Sequence, residues 1–315
     1  MMRENVIDTK LPKSSTIPVE HKLARIRFAR SVLEREMEAC NLCPRACNAN
    51  RTAGPAGYCF LSSKAKIYRY KLHFGEEPPI SGTRGSGIIF FSGCTMRCVF
   101  RQNYPMSHLR QGYEVTPEIL ARIMLQLQEY GAHNINLVTP GQFLPQILTA
   151  LEIALEKGLH LPLVYNTNGY EKPETLRLLD GIIDVYLPDA KYASDALARR
   201  YSRCPNYVAY NHATLKEMFR QVGLLETGPD GLARCGLIVR HLVLPNQLEN
   251  TRSVLKFIAE ELSPEVSISL MTQYLPIWGA KKYPEINRRI TPREMRQALD
   301  WLEEFGLEEG WYQEL

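Results

Sequence analysis

The sequence predicts an α/β protein, a partial or full (β/α) barrel of parallel strands preceded by a small helical and cysteine-rich extension. Three observations carry this. Short apolar runs alternate with amphipathic segments from Gly87 to Met271. Single helices separate those runs, which implies parallel pairing with right-handed crossovers, and about six such units amount to a barrel. Six of the eight cysteines fall between residues 40 and 98, mostly ahead of the alternating region. Residues 1–64 are therefore assigned to an arm, a helix and a metal-binding segment, and 65–315 to the barrel.

Residues 1–19 carry Pro12, Pro18 and a Ser-Ser-Thr cluster without periodicity, and are expected to form an extended arm. From Glu20 to Ala39, Leu23, Ile26, Phe28, Val32 and Leu33 recur between charged residues as an amphipathic helix packed on the main domain. Cys40-Asn-Leu-Cys43-Pro-Arg-Ala-Cys47 follows. The turn residues Gly54-Pro-Ala-Gly57 then bring Cys59 back toward the first three thiols. Four soft ligands at this spacing suit tetrahedral zinc or an iron–sulfur cluster, and the spacing does not choose between them. The plainer reading, buried small hydrophobes, fits a group so dense less well.

Residues 65–71 alternate as a strand, 75–80 connect, and Gly82-Thr-Arg-Gly-Ser-Gly87 is a turn. It lacks Gly-Lys-Ser/Thr and precedes a strand, unlike a phosphate loop. The buried strand Gly87–Phe91 delivers Cys94 and Cys98 onto a glycine-containing loop, and thiolates set so closely suit an iron–sulfur cluster or zinc. Thr116-Pro117-Glu118 opens a helix with an N-cap hydroxyl, a first-turn proline and an acid at the positive helix end.

Strands are expected at 134–138, 161–165, 182–187, 237–244 and 266–271. Helices fall at 144–156, 173–179, 194–201, 211–222 and 250–261, and Thr291-Pro-Arg-Glu294 is a capping box for the last.

Chemistry in such a barrel sits at the C-terminal ends of strands. There lie Cys94 and Cys98, Thr139-Pro140-Gly141-Gln142, Asn166-Thr-Asn168-Gly169, and Pro188-Asp189-Ala190-Lys191, with Arg240 and His241 inside the longest strand. Each is weak alone: Asn168-Gly169 reads as a turn, Asp189 and Lys191 as an exposed pair, His241 as a satisfied structural histidine. Arg240, flanked by Ile238, Val239, Leu242 and Val243, needs a buried acceptor. Together they describe a small-molecule site.

A net charge of +4 with scattered Lys and Arg gives no reason for a nucleic-acid partner. No apolar run reaches the roughly 18–20 residues of a membrane span, and the N-terminus lacks a signal-peptide core. A cytoplasmic protein is expected, and in a reducing compartment clustered cysteines bind metal.

The segments Cys40-x-Leu-Cys43-Pro-Arg-x-Cys47, Phe91-Ser-Gly-Cys94 through Tyr104, Tyr165-Asn-Thr-Asn-Gly-Tyr170, Asp184–Lys191 and Gly236–Asn246 resemble the radical S-adenosylmethionine (SAM) superfamily. They are most similar to pyruvate formate-lyase activating enzyme-like proteins with an extra N-terminal cysteine segment. The resemblance implies a [4Fe-4S] cluster on three cysteines, with SAM on the fourth iron. SAM is then cleaved reductively to a 5′-deoxyadenosyl radical that abstracts hydrogen. It also implies a substrate that includes, by analogy, a glycyl-radical enzyme, and an electron donor such as flavodoxin or ferredoxin.

By position, Cys94 and Cys98 match cluster ligands and Phe100 the aromatic beside adenine. Thr139 and Pro140 stand where relatives bind the methionine amino group through a Gly-Gly-Glu segment. That glutamate is missing here, which leaves Thr139, Gln142 or backbone for the contact. Asn168, Asp189 and Arg240 match rim positions expected near SAM or a bound cation.

Where the third cysteine belongs, this sequence has Arg101. Arginine stays protonated and has no lone pair for iron. Three readings follow: a single-base change of a Cys codon (TGY to CGY) in an otherwise intact enzyme, a natural pseudoenzyme, or completion of the cluster by a cysteine from 40–59. The undisturbed Val99-Phe100 and Gln102-Asn-Tyr104 favour the first. The alternative function is a non-catalytic metal-binding scaffold on Cys40, Cys43, Cys47 and Cys59.

Overall fold

A computed structural model describes residues 17–312, so most of the arm expected over 1–19 lies outside the described residues. Helix α1 (Val19–Arg35) turns Lys22, Ile26, Ala29 and Leu33 inward. This face differs from the expected one at Phe28, which is exposed, and at Lys22, which is buried. The lysine is tolerated because its Nζ lies 3.2 Å from the Asp184 carboxylate. Strand β1 (Ala65–His73) pairs antiparallel with β2 (Ser86–Phe91), and the short helix α2 (Pro78–Ser81) occupies the expected connector.

After the cysteine loop come α3 (Tyr104–Ser107), β3 (Tyr113–Val115) and α4 (Pro117–Glu129). Thr116 caps α4 as anticipated, its side chain accepting from the Ile119 amide. The alternation then runs β4 (Ile135–Val138), α5 (Leu144–Glu156), β5 (Leu163–Thr167), α6 (Pro173–Arg177), β6 (Val185–Pro188), α7 (Asp195–Ser202) and α8 (Tyr207–Val222). It ends with β7 (Glu226–Thr227), β8 (Ala233–Leu242), α9 (Leu248–Glu261), β9 (Ser267–Met271), α10 (Pro292–Glu304) and β10 (Gly310–Tyr312).

Strand order is β10-β9-β8-β6-β5-β4-β2-β1-β3, parallel from β10 to β2, with β7 antiparallel on β8. The path is open, so the barrel is partial. Its parallel strands are covered on both faces, which explains why β2, β4, β5 and β6 are apolar or buried at every position. On β2, Ile89 and Phe91 join the main core with α4 and α5, while Ile88 and Phe90 meet Met106 and Val138 on the other face. Leu33, Met37, Cys40, Leu42 and Leu61 from the N-terminal segment belong to that same main core. Among the described residues no helix is long and apolar enough to cross a membrane.

The capping box of α10 forms, and it is larger than the sequence shows. The Thr291 hydroxyl accepts from the Glu294 amide at 3.2 Å and the Thr291 amide donates to Glu294 at 2.8 Å. The Asn246 amide and the Arg288 guanidinium also reach the Glu294 carboxylate, at 2.8 and 2.7 Å. The Arg288 bonds, helped by the two amides against partial burial, hold that carboxyl down to about 2. Glu294→Ala is expected to cost about 1.5–3 kcal/mol at neutral pH, the range for bonds to a charged group. Because the folded pKa is depressed, this stability is present above the unfolded value and is lost as pH falls toward about 2. Thermal denaturation at pH 7 and pH 3 checks both the size and the shrinking gap.

Candidate functional site

The loop after β2 is held from three sides. The Gly93 amide bonds the Met106 carbonyl, while the Arg97 and Val99 amides bond Ser202 and Tyr201 at the end of α7. Cys94 and Cys98 are buried. Asn168 donates from Nδ2 to Cys94 Sγ at 3.3 Å and to Thr95 Oγ1 at 3.1 Å, and the Met96 amide reaches Cys94 Sγ at 3.4 Å. Ser202 Oγ donates to Cys98 Sγ at 3.0 Å. Burial pushes the Cys98 thiol up, against the pull of Lys191 and Arg101.

Above this loop opens a cleft of about 250 Å³ at the C-terminal ends of the strands. Cys98, Phe100, Arg101, Thr139, Asn168, Asp189 and Arg240 all line it; Cys94 and Pro140 are buried and do not line it. Gln142, a candidate contact for a bound ligand, does not reach the cleft. It donates instead to the Ser92 and Gly93 carbonyls at 3.2 and 3.4 Å and supports the loop from below. Phe100 packs edge-on against Tyr274, centroids 5.7 Å apart, and together they make one aromatic wall.

The opposite wall is a buried ionic network. Asp189 pairs with Lys191 and accepts from Arg240 Nε at 3.1 Å. Arg240 also reaches Asn166 Oδ1 at 2.5 Å and Glu76 Oε2 at 3.4 Å, which are the acceptors its apolar neighbours required. Asp189 and Lys191 are thus a buried pair rather than the exposed one read from sequence. Burial raises the Asp189 carboxyl, but Lys191 and Arg240 together outweigh it and hold it below its ordinary range. Glu76 goes the other way, pushed up to about 7 by burial although Arg240 opposes.

Gly169 takes φ +71°, and a Cβ there would stand 2.0 Å from the Asp189 carbonyl, so only glycine lets this turn pack there and set Asn168 on Cys94 and Thr95. His241 lies outside the cleft, buried and bonded to the Ala190 carbonyl and Thr251 Oγ1, a structural histidine as expected.

Arg101 differs from the other cleft cations. Its Nη2 reaches Thr139 Oγ1 only at 3.5 Å, its Nε is buried with no partner, and among the described residues no acid pairs with it. Thr139 itself sits at φ +57°, an unusual conformation for a threonine, at the turn where β4 enters the cleft.

Cys40, Cys43, Cys47 and Cys59 converge on one small cavity with Arg51, Tyr58, Thr95 and Gln142, and all are free thiols. A Cβ at Gly57 would fall 2.7 Å from Cys47 Sγ, so the glycine makes room for that sulfur. Arg45 ties this segment to the cluster loop. Its guanidinium donates to the Thr95 carbonyl at 2.9 Å, the Arg203 carbonyl at 2.7 Å and Cys204 Sγ at 3.2 Å, and lies 3.7 Å over the Tyr58 ring. Cys204, set apart in the sequence, is brought here beside Cys94 and Cys98, whose charges add to the burial that raises its thiol.

Residue chemistry decides which groups these places accept. A three-thiolate [4Fe-4S] cluster does not fit the loop: Cys98 alone of the two thiols lines the cleft, and the third corner holds a cation without a lone pair. An organic ligand with aromatic and zwitterionic parts fits the cleft, because an aromatic wall faces an ionic one and Arg101 Nε has no partner. At the N-terminal cavity the donor type suits a soft metal, but among the described residues no three of His, Cys, Asp and Glu are gathered tightly enough to hold one as they stand.

Glu76, Arg45 and Cys204 carry no site signal in the sequence, whereas Tyr274 falls within Met271–Pro276, a strand end on the same rim. Only the demand of Arg240 for an acceptor pointed toward an acid such as Glu76.

No protein-family model matches the chain. Its fold is similar to that of SuiB from Streptococcus suis bound to S-adenosylmethionine, with a TM-score of 0.51 and 13% identity over 70% of this chain and 48% of SuiB. SuiB bound to the precursor peptide SuiA gives a TM-score of 0.50, again at 13% identity, over 70% of this chain and 47% of SuiB. The chain therefore spans about half the length of SuiB, and at this identity the likeness is one of fold. Sequence similarity is closer to the uncharacterized protein MJ0674 of Methanocaldococcus jannaschii, 31% identical over 280 residues, or 85% of this chain and 75% of that protein. With that identity over that length, the chain belongs to the MJ0674 family.

Proposed function

We propose that the chain is a radical SAM-type protein that binds SAM in the cleft, and that Arg101 interrupts the cluster corner on which reductive cleavage depends. The observation that carries this is the cleft: an aromatic wall of Phe100 and Tyr274 faces Asp189, Lys191 and Arg240 directly above the Cys94–Cys98 loop. The SAM-bound state of the similarly folded SuiB supports the choice of ligand. SAM supplies an activated adenosyl group; the chain's own residues bind and orient it. In this reading Phe100 takes the adenine, and Asp189 and Asn168 order the polar end of the cleft.

Equilibrium dialysis tests the reading. The parent chain should bind SAM with Kd on the order of 10–100 μM, and Phe100→Ala should weaken binding by about 3- to 10-fold through the lost aromatic contact. Absence of SAM binding, or binding indifferent to Phe100, sinks it.

The bound precursor peptide of SuiB supports a peptide or protein substrate, of which a glycyl-radical enzyme is one case, with flavodoxin or ferredoxin as donor.

The interrupted loop also favours a second reading, a metal-binding scaffold. Its metal is held on Cys40, Cys43, Cys47 and Cys59, drawn together once bound. Elemental analysis then finds zinc or iron that Cys43→Ser abolishes and Cys94→Ser leaves in place; retention in Cys43→Ser excludes the site.

A further inference from the structure

We infer that Arg101 makes the cluster corner of this cleft a carboxylate-binding site, one that receives the α-carboxylate of an amino-acid-bearing ligand. The inference rests on the SAM reading above and names the residue that holds the polar arm. Three cations face the cleft, and two are already matched: Lys191 by Asp189, and Arg240 by Asp189, Glu76 and Asn166. Arg101 is the one without a carboxylate among the described residues. Its Nε is buried and unbonded, and its one side-chain hydrogen bond among the described residues is the long 3.5 Å approach to Thr139 Oγ1. A buried guanidinium N–H left unbonded is destabilising, and a ligand acceptor removes that penalty.

The geometry also selects the class of acceptor. A guanidinium fork matches a planar carboxylate with two parallel bonds. A phosphate would carry more negative charge into a cleft that already contains Asp189 and Glu76. A zwitterion suits both ends: its carboxylate meets Arg101 while its ammonium turns to the acidic side. Phe100, next but one to the loop's second cysteine, stands on the aromatic wall for the remainder of the ligand.

The test compares SAM with 5′-methylthioadenosine, which lacks the amino-acid arm, by isothermal titration on the metal-free full chain and on Arg101→Gln and Arg101→Lys. Arg101→Gln is expected to weaken SAM by about 10- to 100-fold, the loss of a charge-assisted pair, and to leave methylthioadenosine within about twofold. Arg101→Lys restores part of the SAM affinity because it keeps the charge without the fork. Equal weakening of both ligands, or unchanged SAM binding, overturns the inference while leaving SAM as the ligand. Failure of the parent to bind either compound overturns the SAM reading and this inference with it. Methylthioadenosine is the folding control: its retained affinity in the variants shows that the cleft is intact.

Discussion

Arg101→Cys is expected to gain about four irons and four sulfides per chain on anaerobic reconstitution, relative to the parent treated identically. Cys94 and Cys98 are already presented on a loop pinned by Met106, Ser202 and Tyr201. The third corner faces the same cleft as Cys98. At 101 the residue type itself excludes the metal: a permanent cation beside the iron site repels Fe²⁺ and Fe³⁺ and donates no lone pair. Cysteine at 101 removes the repulsion and supplies the missing ligand in one change. Absorption near 400 nm should appear with the iron and vanish when Cys94→Ser is added. If the double variant keeps the extra iron, the gain belongs to the N-terminal cysteines and the account of the loop is wrong.

The largest stability effect is expected at Asp189. Its carboxylate lies buried between Lys191 and Arg240, on the strand pair that Asp189 and Arg240 themselves bridge at the end of β6 and β8. Asp189→Asn preserves size but removes the carboxylate that Lys191 and Arg240 share, leaving Arg240 with Glu76 and Lys191 without its ion-pair partner, a change that costs about 3–5 kcal/mol. The pH sign follows from the depressed carboxyl. Burial alone would raise it, Lys191 and Arg240 reverse that, and the folded value lies below the unfolded one. The contribution is therefore complete above about pH 4 and declines as pH falls through the folded value. Urea midpoints at pH 7 should separate parent and variant widely, and the separation should narrow in acid. An unchanged midpoint at pH 7 would mean that solvent, not Asp189, compensates these cations.

The barrel was legible because parallel strands buried on both faces are short, largely apolar runs, as in Gly87–Phe91, and because single helices separate them even where, as in Asn134–Val138, asparagines interrupt the run. Strands β3, β7 and β10 were not, since Tyr113-Glu-Val115, Glu226-Thr227 and Gly310-Trp-Tyr312 are two or three residues long and mostly exposed. Pairing, not pattern, defines them. Asn166 and Thr167, which the sequence places just after a strand, belong to β5, because their backbones pair with Val138, Leu187 and Pro188. Helix α8 starts at Tyr207, earlier than its apolar periodicity shows, since the buried Tyr207 hydroxyl accepts from the Lys191 amide.

At the site, residues that follow strands were visible as a set. Glu76 and Cys204 were invisible for a physical reason: a connector acid and a solitary cysteine acquire meaning only when Arg240 and Arg45 reach them across the fold.

The most direct measurement is 5′-deoxyadenosine formed from SAM under dithionite, by the reconstituted parent and by Arg101→Cys side by side. None above background is expected from the parent, and steady formation from the cysteine variant, dependent on Cys94 and Cys98. Equal formation by the parent, or none by a variant that has gained its cluster and binds SAM, contradicts that expectation.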